Sequence, residues 1–211
     1  MRRSQAAGAA GLAVVLLVGG CTAHDPDMPG LTASPTTEST PTATPTPTPT
    51  STQSKIAGTV VDLSDAELGI VFDDVPELSG DEADVYNWIA TYEVEVWRSL
   101  TTNEVSPGVA HIASPEVVSA MERNAAGNAD LDARIGGLFR VSVAGIQVDG
   151  DTGSGTVCHD YRDVTFADSA GEYTPEEAGF GDRKAATLTL QRRADAVGIW
   201  MITSSDPTGT C

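Results

Sequence analysis

Basic side chains are scarce: 12 Lys and Arg stand against 30 Asp and Glu, a formal net charge of −18. A chain of that sign repels nucleic-acid phosphates and anionic lipid headgroups, which argues against a nucleic-acid partner, and the same charge keeps a domain soluble. Aromatics make up only 5% of the residues, and there are three Cys and three His. His24, His111 and His159 are far apart, and the chain has no HExxH, no close Cys/His cluster and no twelve-residue calcium loop. Residues 150–155 are glycine-rich, but no Lys follows as a phosphate-cradling loop requires. The sequence therefore assigns no catalytic residue, no metal ligand and no cofactor. Long apolar runs are missing too, since the uncharged stretch 6–18 falls short of the roughly 20 residues that span a bilayer.

The chain does carry a leader, a tether and a domain. Arg2 and Arg3 precede that short apolar run, and Val18-Gly19-Gly20-Cys21 ends it. This is the three-part layout of a signal peptide, residues 1–20. Residues 22–54 hold seven of the twelve prolines, and 41–50 read PTATPTPTPT. Proline fixes φ and removes donors, and threonine supplies no core, so 21–54 are expected to form a disordered, partly polyproline-II stalk. Its reach is roughly 100 Å at about 3.1 Å per residue. Residues 55–211 remain for one domain.

Within that domain, Ser79-Gly80-Asp81-Glu82 has capping-box spacing. Val85, Trp88, Ile89, Tyr92, Val96 and Leu100 then recur at three and four, predicting a helix with Glu93 and Glu95 turned away from its buried face. Ser114-Pro115-Glu116 opens a second helix that fades near Gly127-Asn128. Beyond Gly136-Gly137 the period becomes two. Phe139, Val141 and Val143 share one strand face, whereas Ile146 and Val148 are offset by one residue, so a β-bulge at Ala144-Gly145 is expected. Asp149-Gly150 signals a hairpin, residues 156–166 return as a strand, and an acidic loop covers 168–182. Two more strands follow: one alternates through Ala186, Leu188 and Leu190, and the last spans 197–203. Residues 56–76 are ambiguous and are expected to wrap the domain. Helices followed by a bent antiparallel meander indicate α+β, with N-terminal helices packed in a curved sheet. Asp160, Tyr161 and Asp163 are read as solvated strand-face residues.

Val18-Gly19-Gly20-Cys21 resembles the lipobox of bacterial lipoproteins. The resemblance implies cleavage between Gly20 and Cys21 and acylation of Cys21, whose lipid would hold the protein at the extracytoplasmic face of a cell membrane. With Cys21 lipidated, Cys158 and Cys211 are left to pair in an oxidising compartment. The layout of lipobox, Thr/Pro stalk, a helix reading DVYNWIATYEVEVWRSL, a strand bearing Cys158 and a terminal Cys is similar to a set of actinobacterial lipoproteins. Residues 62–211 resemble the nuclear-transport-factor-two-like, or ketosteroid-isomerase-like, cone. That resemblance implies either a non-enzymatic envelope module, binding a small apolar ligand or an envelope protein partner, or a small lyase, isomerase or hydrolase of the same fold. In isomerases of this fold a carboxylate and a tyrosine do acid–base work, but no motif here fixes those roles on particular residues.

Overall fold

The computed structural model describes residues 58–196 and 198–211. The leader 1–20, the anchor Cys21 with its cleavage point after Gly20, the stalk 21–54 and Val197 lie outside the described residues. Among the described residues no helix is long and apolar enough to cross a membrane.

Among the described residues the architecture is α+β: a six-stranded mixed sheet and three helices. In chain order they are β1 (Ile70–Asp73), α1 (Gly80–Thr102), α2 (Pro107–Ile112), α3 (Pro115–Asp130), β2 (Arg134–Asp149), β3 (Thr152–Ala167), β4 (Glu172–Tyr173), β5 (Lys184–Arg192) and β6 (Trp200–Thr210). The sheet runs β1-β2-β3-β5-β6, with the short β4 paired to β3. The antiparallel meander appears as expected from β2 onward. One correction concerns the edge: β1, from the ambiguous segment 56–76, pairs parallel to β2 through Ile70↔Phe139 and Phe72↔Val141. Its β-branched and aromatic run fits a half-buried edge position, and a parallel partner needs the long crossover that α1–α3 provide.

The bulge and the hairpin follow their sequence signals. Ala144 pairs with Thr156 and Gln147 with Ser154, so β2 holds one extra residue, and Gly145 takes φ 62°. Gly150 opens the two-residue β2–β3 loop at φ 58°, a conformation that costs glycine little. The glycine run after it serves packing. A Cβ at Gly153 would stand 2.6 Å from Val85 Cγ2, and one at Gly155 2.6 Å from Ile89 Cδ1, so bare backbone here lets α1 settle onto β3.

The expected stripe of α1 is correct but too narrow. Glu93 is not turned away: it is 2% exposed, and Tyr86, Ala90 and Trp97 are buried with it. The sheet buries Glu93, which reaches His159 on β3, and the segment ahead of β1 covers another side of the helix. The Asn87 side chain accepts from Val61 N and donates to Thr59 O, Asp84 accepts from Gly58 N, and Trp97 Nε1 donates to Leu68 O. The segment ahead of β1 thus lies along α1 and pairs its backbone with the helix's polar side chains, which disguises a buried face as a wet one.

Cap and boundary details also differ. Ser79 is the N-cap of α1 but makes no side-chain cap bond, because the local backbone is tied instead through Gly80 N to Gly58 O. A six-residue α2, with Ser106 capping and Pro107 at its start, precedes α3 and carries His111. β6 runs to Thr210, well past the expected end at 203, because β5 offers it partners as far as Lys184↔Thr210.

Candidate functional site

β3 carries its chemistry on two faces. Cys158 and Asp160 point outward, while His159 and Tyr161 point toward α1. A second register shift sits here: Arg140 pairs with Asp160 and Leu138 with Asp163, so β3 holds the extra residue at Tyr161-Arg162. The bulge changes the parity of the strand. Val164 and Phe166 then continue the inward face begun by Val157, His159 and Tyr161.

On that inward face Glu93 Oε2 lies 2.9 Å from His159 Nε2, although the two are 66 residues apart in sequence. Both are largely sealed from water. Burial works hardest on His159 and disfavours its charge, but the Glu93 charge and hydrogen bond together outweigh it, so its pKa rises above the ordinary 6.5. Burial, then the same carboxylate, push the hydroxyls of Tyr92 and Tyr161 well above their ordinary 10, so both remain neutral. Around the pair Phe139 acts as a hub, with ring centroids 4.9 Å from Trp97, 5.6 Å from His159 and 4.8 Å from Tyr161. Tyr161 in turn packs 4.7 Å from Phe180, and Phe180 stacks on Phe166 at 5.2 Å.

The far side of Tyr161 faces a groove of about 740 Å³ between the C-terminal half of α1, α3 and the acidic loop. Val96 and Leu100 form one wall, Met121 another, and Tyr161, Phe166 and Phe180 the floor. The acidic loop is organised to stand there. Asp168 accepts from Ala170 N, Gly171 N and the Tyr173 hydroxyl, and Thr174 N donates to Glu177. A smaller hollow of about 570 Å³ lies beside it, along Ile135, Val164 and Pro175.

On the outward face Cys158 and Cys211 form the expected disulfide, with Cα atoms 6.1 Å apart, so the end of β6 is bound to the middle of β3. Asp160 is not solvated as expected but 8% exposed. Arg162 bonds it at 2.5 and 2.9 Å and Arg183 stands 4.0 Å away. These contacts, led by the Arg162 hydrogen bonds, hold its carboxyl down at about 2. Tyr161 is likewise packed rather than wet, while Asp163 stays exposed. Among the described residues no group of three His, Cys, Asp or Glu is placed to hold a metal ion. Sequence reasoning missed the Glu93–His159 pair. The only signal available was that Glu93 sits between Tyr92 and Trp97 in an aromatic-rich helix.

No protein-family model matches the chain, and no curated protein does. Among solved structures it is similar to the intermembrane-space region of the chloroplast protein ARC6, at 12% identity and TM-score 0.46, over 64% of this chain and 100% of that one. It is also similar to a variant of Rv3472, a function-unknown protein of Mycobacterium tuberculosis, at 17% identity and TM-score 0.38, over 60% of this chain and 69% of that one. The Kfla4162 protein of Kribbella flavida matches at 12% identity and TM-score 0.38, over 62% of this chain and 91% of that one. Likenesses at this level say nothing of activity.

Proposed function

We propose that the domain is a non-enzymatic binding module for a small, largely apolar ligand, carried on the extracytoplasmic face of a cell membrane by lipid on Cys21. One observation carries the binding reading: an open groove of about 740 Å³ walled by Val96, Leu100 and Met121 and floored by three aromatic rings. Small-ligand sites run from about 300 to 1,000 Å³, are mostly apolar and have few polar groups. The curved, cone-like arrangement suggested by the sequence suits this reading, because a sheet bent at its bulges leaves space at one end of the helix it covers. The anchor rests on Val18-Gly19-Gly20-Cys21, and mass spectrometry of the membrane-bound protein is expected to find lipid on an N-terminal Cys21. Unmodified Cys21 on soluble wild-type protein would overturn it.

The groove is tested with phenylnaphthylamine, a neutral apolar dye that brightens out of water. The full chain carrying Cys21→Ser is expected to bind it saturably. Gly127→Leu is expected to block it, because Gly127 lines the groove with nothing within 4 Å of a new Cβ. Leu is also the better helix former, so the fold is not put at risk. Unsaturable dye fluorescence, or binding indifferent to Gly127→Leu, would overturn the assignment.

One observation favours a second reading, a small lyase, isomerase or hydrolase. Glu93 and His159 form a buried acid–base pair directly behind Tyr161. Such groups are what acid–base catalysis uses. Binding is preferred because the carboxylate and the imidazole are engaged with each other, and the group presented to the groove is a neutral tyrosine.

A further inference from the structure

We infer that the groove's ligand is a single-tailed amphiphile with a carboxylate head, its tail lying along Val96, Leu100 and Phe180 and its head held by Arg123. This deepens the binding reading and rests on it. The polar groups at the groove's edge are unequal. On the loop side Asp168 and Glu177 already accept hydrogen bonds from their own loop. On the α3 side Arg123, Asn124 and Asn128 line the groove, and among the described residues none of their side chains makes a hydrogen bond or an ion pair. Among the described residues Arg140, Arg162, Arg183, Arg192 and Arg193 form ion pairs while Arg98, Arg123 and Arg134 do not, and of these three it is Arg123 that lines the groove.

The uncommitted groups are therefore one permanent cation and two carboxamides, at i, i+1 and i+5, whose NH2 groups can donate beside it. A planar guanidinium matches a carboxylate through two parallel hydrogen bonds. One cation neutralises one charge, so a monoanion fits. A phosphate dianion would bring a surplus charge into the field of an acidic domain. Beyond the head the lining is aliphatic and aromatic, as a hydrocarbon tail requires.

The test displaces phenylnaphthylamine from the full chain carrying Cys21→Ser with four probes of equal tail length: dodecanoate, dodecanol, dodecylammonium and dodecyl phosphate. Dodecanoate is expected to bind about tenfold more tightly than dodecanol, as a charge-assisted pair predicts. Arg123→Gln should collapse that ratio to about one. Arg98→Gln, on the exposed side of α1, should keep it. Equal affinities in the wild type, a preference for dodecylammonium or dodecyl phosphate, or a ratio that survives Arg123→Gln would each overturn the head-group assignment while leaving the groove reading standing. Failure of the dye itself to bind, or of Gly127→Leu to weaken every probe, would overturn both.

Discussion

His159 and Asp160 are neighbours in β3, and each has an oppositely charged partner, yet the two pairs live in different solvents. His159 meets Glu93 between α1 and the sheet, where neither is freely wetted. Asp160 meets Arg162 on the outer face, with the arginine 59% exposed. The inner pair has lost its water and is satisfied only by its partner, so removing one member strands a charge. The outer pair keeps solvent on the arginine side, so its loss is largely made good by water. The outer face takes its strength instead from a covalent bond two residues before Asp160, at Cys158. The contrast teaches that proximity in sequence says little about energetic weight. The pleat decides, by sending alternate residues to opposite sides of a sheet.

The sharpest way to break this comparison is to strand the inner charge. Glu93→Ala is expected to cost about 3–5 kcal/mol, whereas Glu93→Met with His159→Leu should be near neutral, because it replaces both charges with apolar volume. Urea unfolding measures both, and a double variant as damaged as the single one would contradict the account. If the domain only binds, the double variant also keeps its affinity for the dye. An acid–base enzyme would lose turnover instead.

Removing the disulfide is next in size. Cys158 and Cys211 are 53 residues apart. For a loop of that length the chain-entropy model predicts a loss of about 4 kcal/mol. Cys158→Ser with Cys211→Ser should therefore lower the urea midpoint strongly, and the first amides to lose hydrogen-exchange protection should lie at the C-terminal end of β6. An unchanged midpoint would remove the covalent half of the comparison.

Acidity separates the two pairs by sign. The folded-state pKa of His159 is raised, so the stability it contributes is complete below about 6.5 and disappears as pH climbs through the elevated value. The pKa of Asp160 is lowered to about 2, so its contribution is complete above about 3.9 and disappears as pH falls through that lower value. Relative to Glu93→Gln, the wild type is expected to lose stability as pH rises from about 6.5 through the elevated His159 pKa. Asp160→Asn is the smallest effect, at most about 2 kcal/mol at neutral pH because Arg162 keeps its water, and shrinks with added salt. A larger cost for Asp160→Asn than for Glu93→Ala would invert the comparison.

Much of the fold was legible because local chemistry and global packing agree. The parity slip between Val143 and Ile146 required an extra residue, and Gly145 supplies it. Ser114-Pro115 starts α3, with the Ser114 hydroxyl accepting from Val117 N. Other features depend on partners far away in sequence. Glu93 looked wet because a single helical stripe accounted for the apolar residues of α1. Its burial depends on the sheet, where it meets a histidine on β3. The bulge at Tyr161-Arg162 left no clear trace, because Tyr161, Arg162 and Asp163 read as a polar run whichever way the strand bends. The groove was invisible for the same reason. Arg123 and Asn124 are ordinary exposed helix residues until the acidic loop comes to stand opposite them.

The central claim is that the open groove beyond Tyr161, and not the sealed pair behind it, is where this domain meets its ligand. Amide chemical-shift mapping during titration with phenylnaphthylamine tests this most directly. The account predicts saturable shifts concentrated at Val96, Leu100, Gly127, Asn128 and Phe180, with the amides of β5 and β6 unmoved. Shifts spread over the outer sheet face, or confined to the hollow beside Val164 and Pro175, would contradict it.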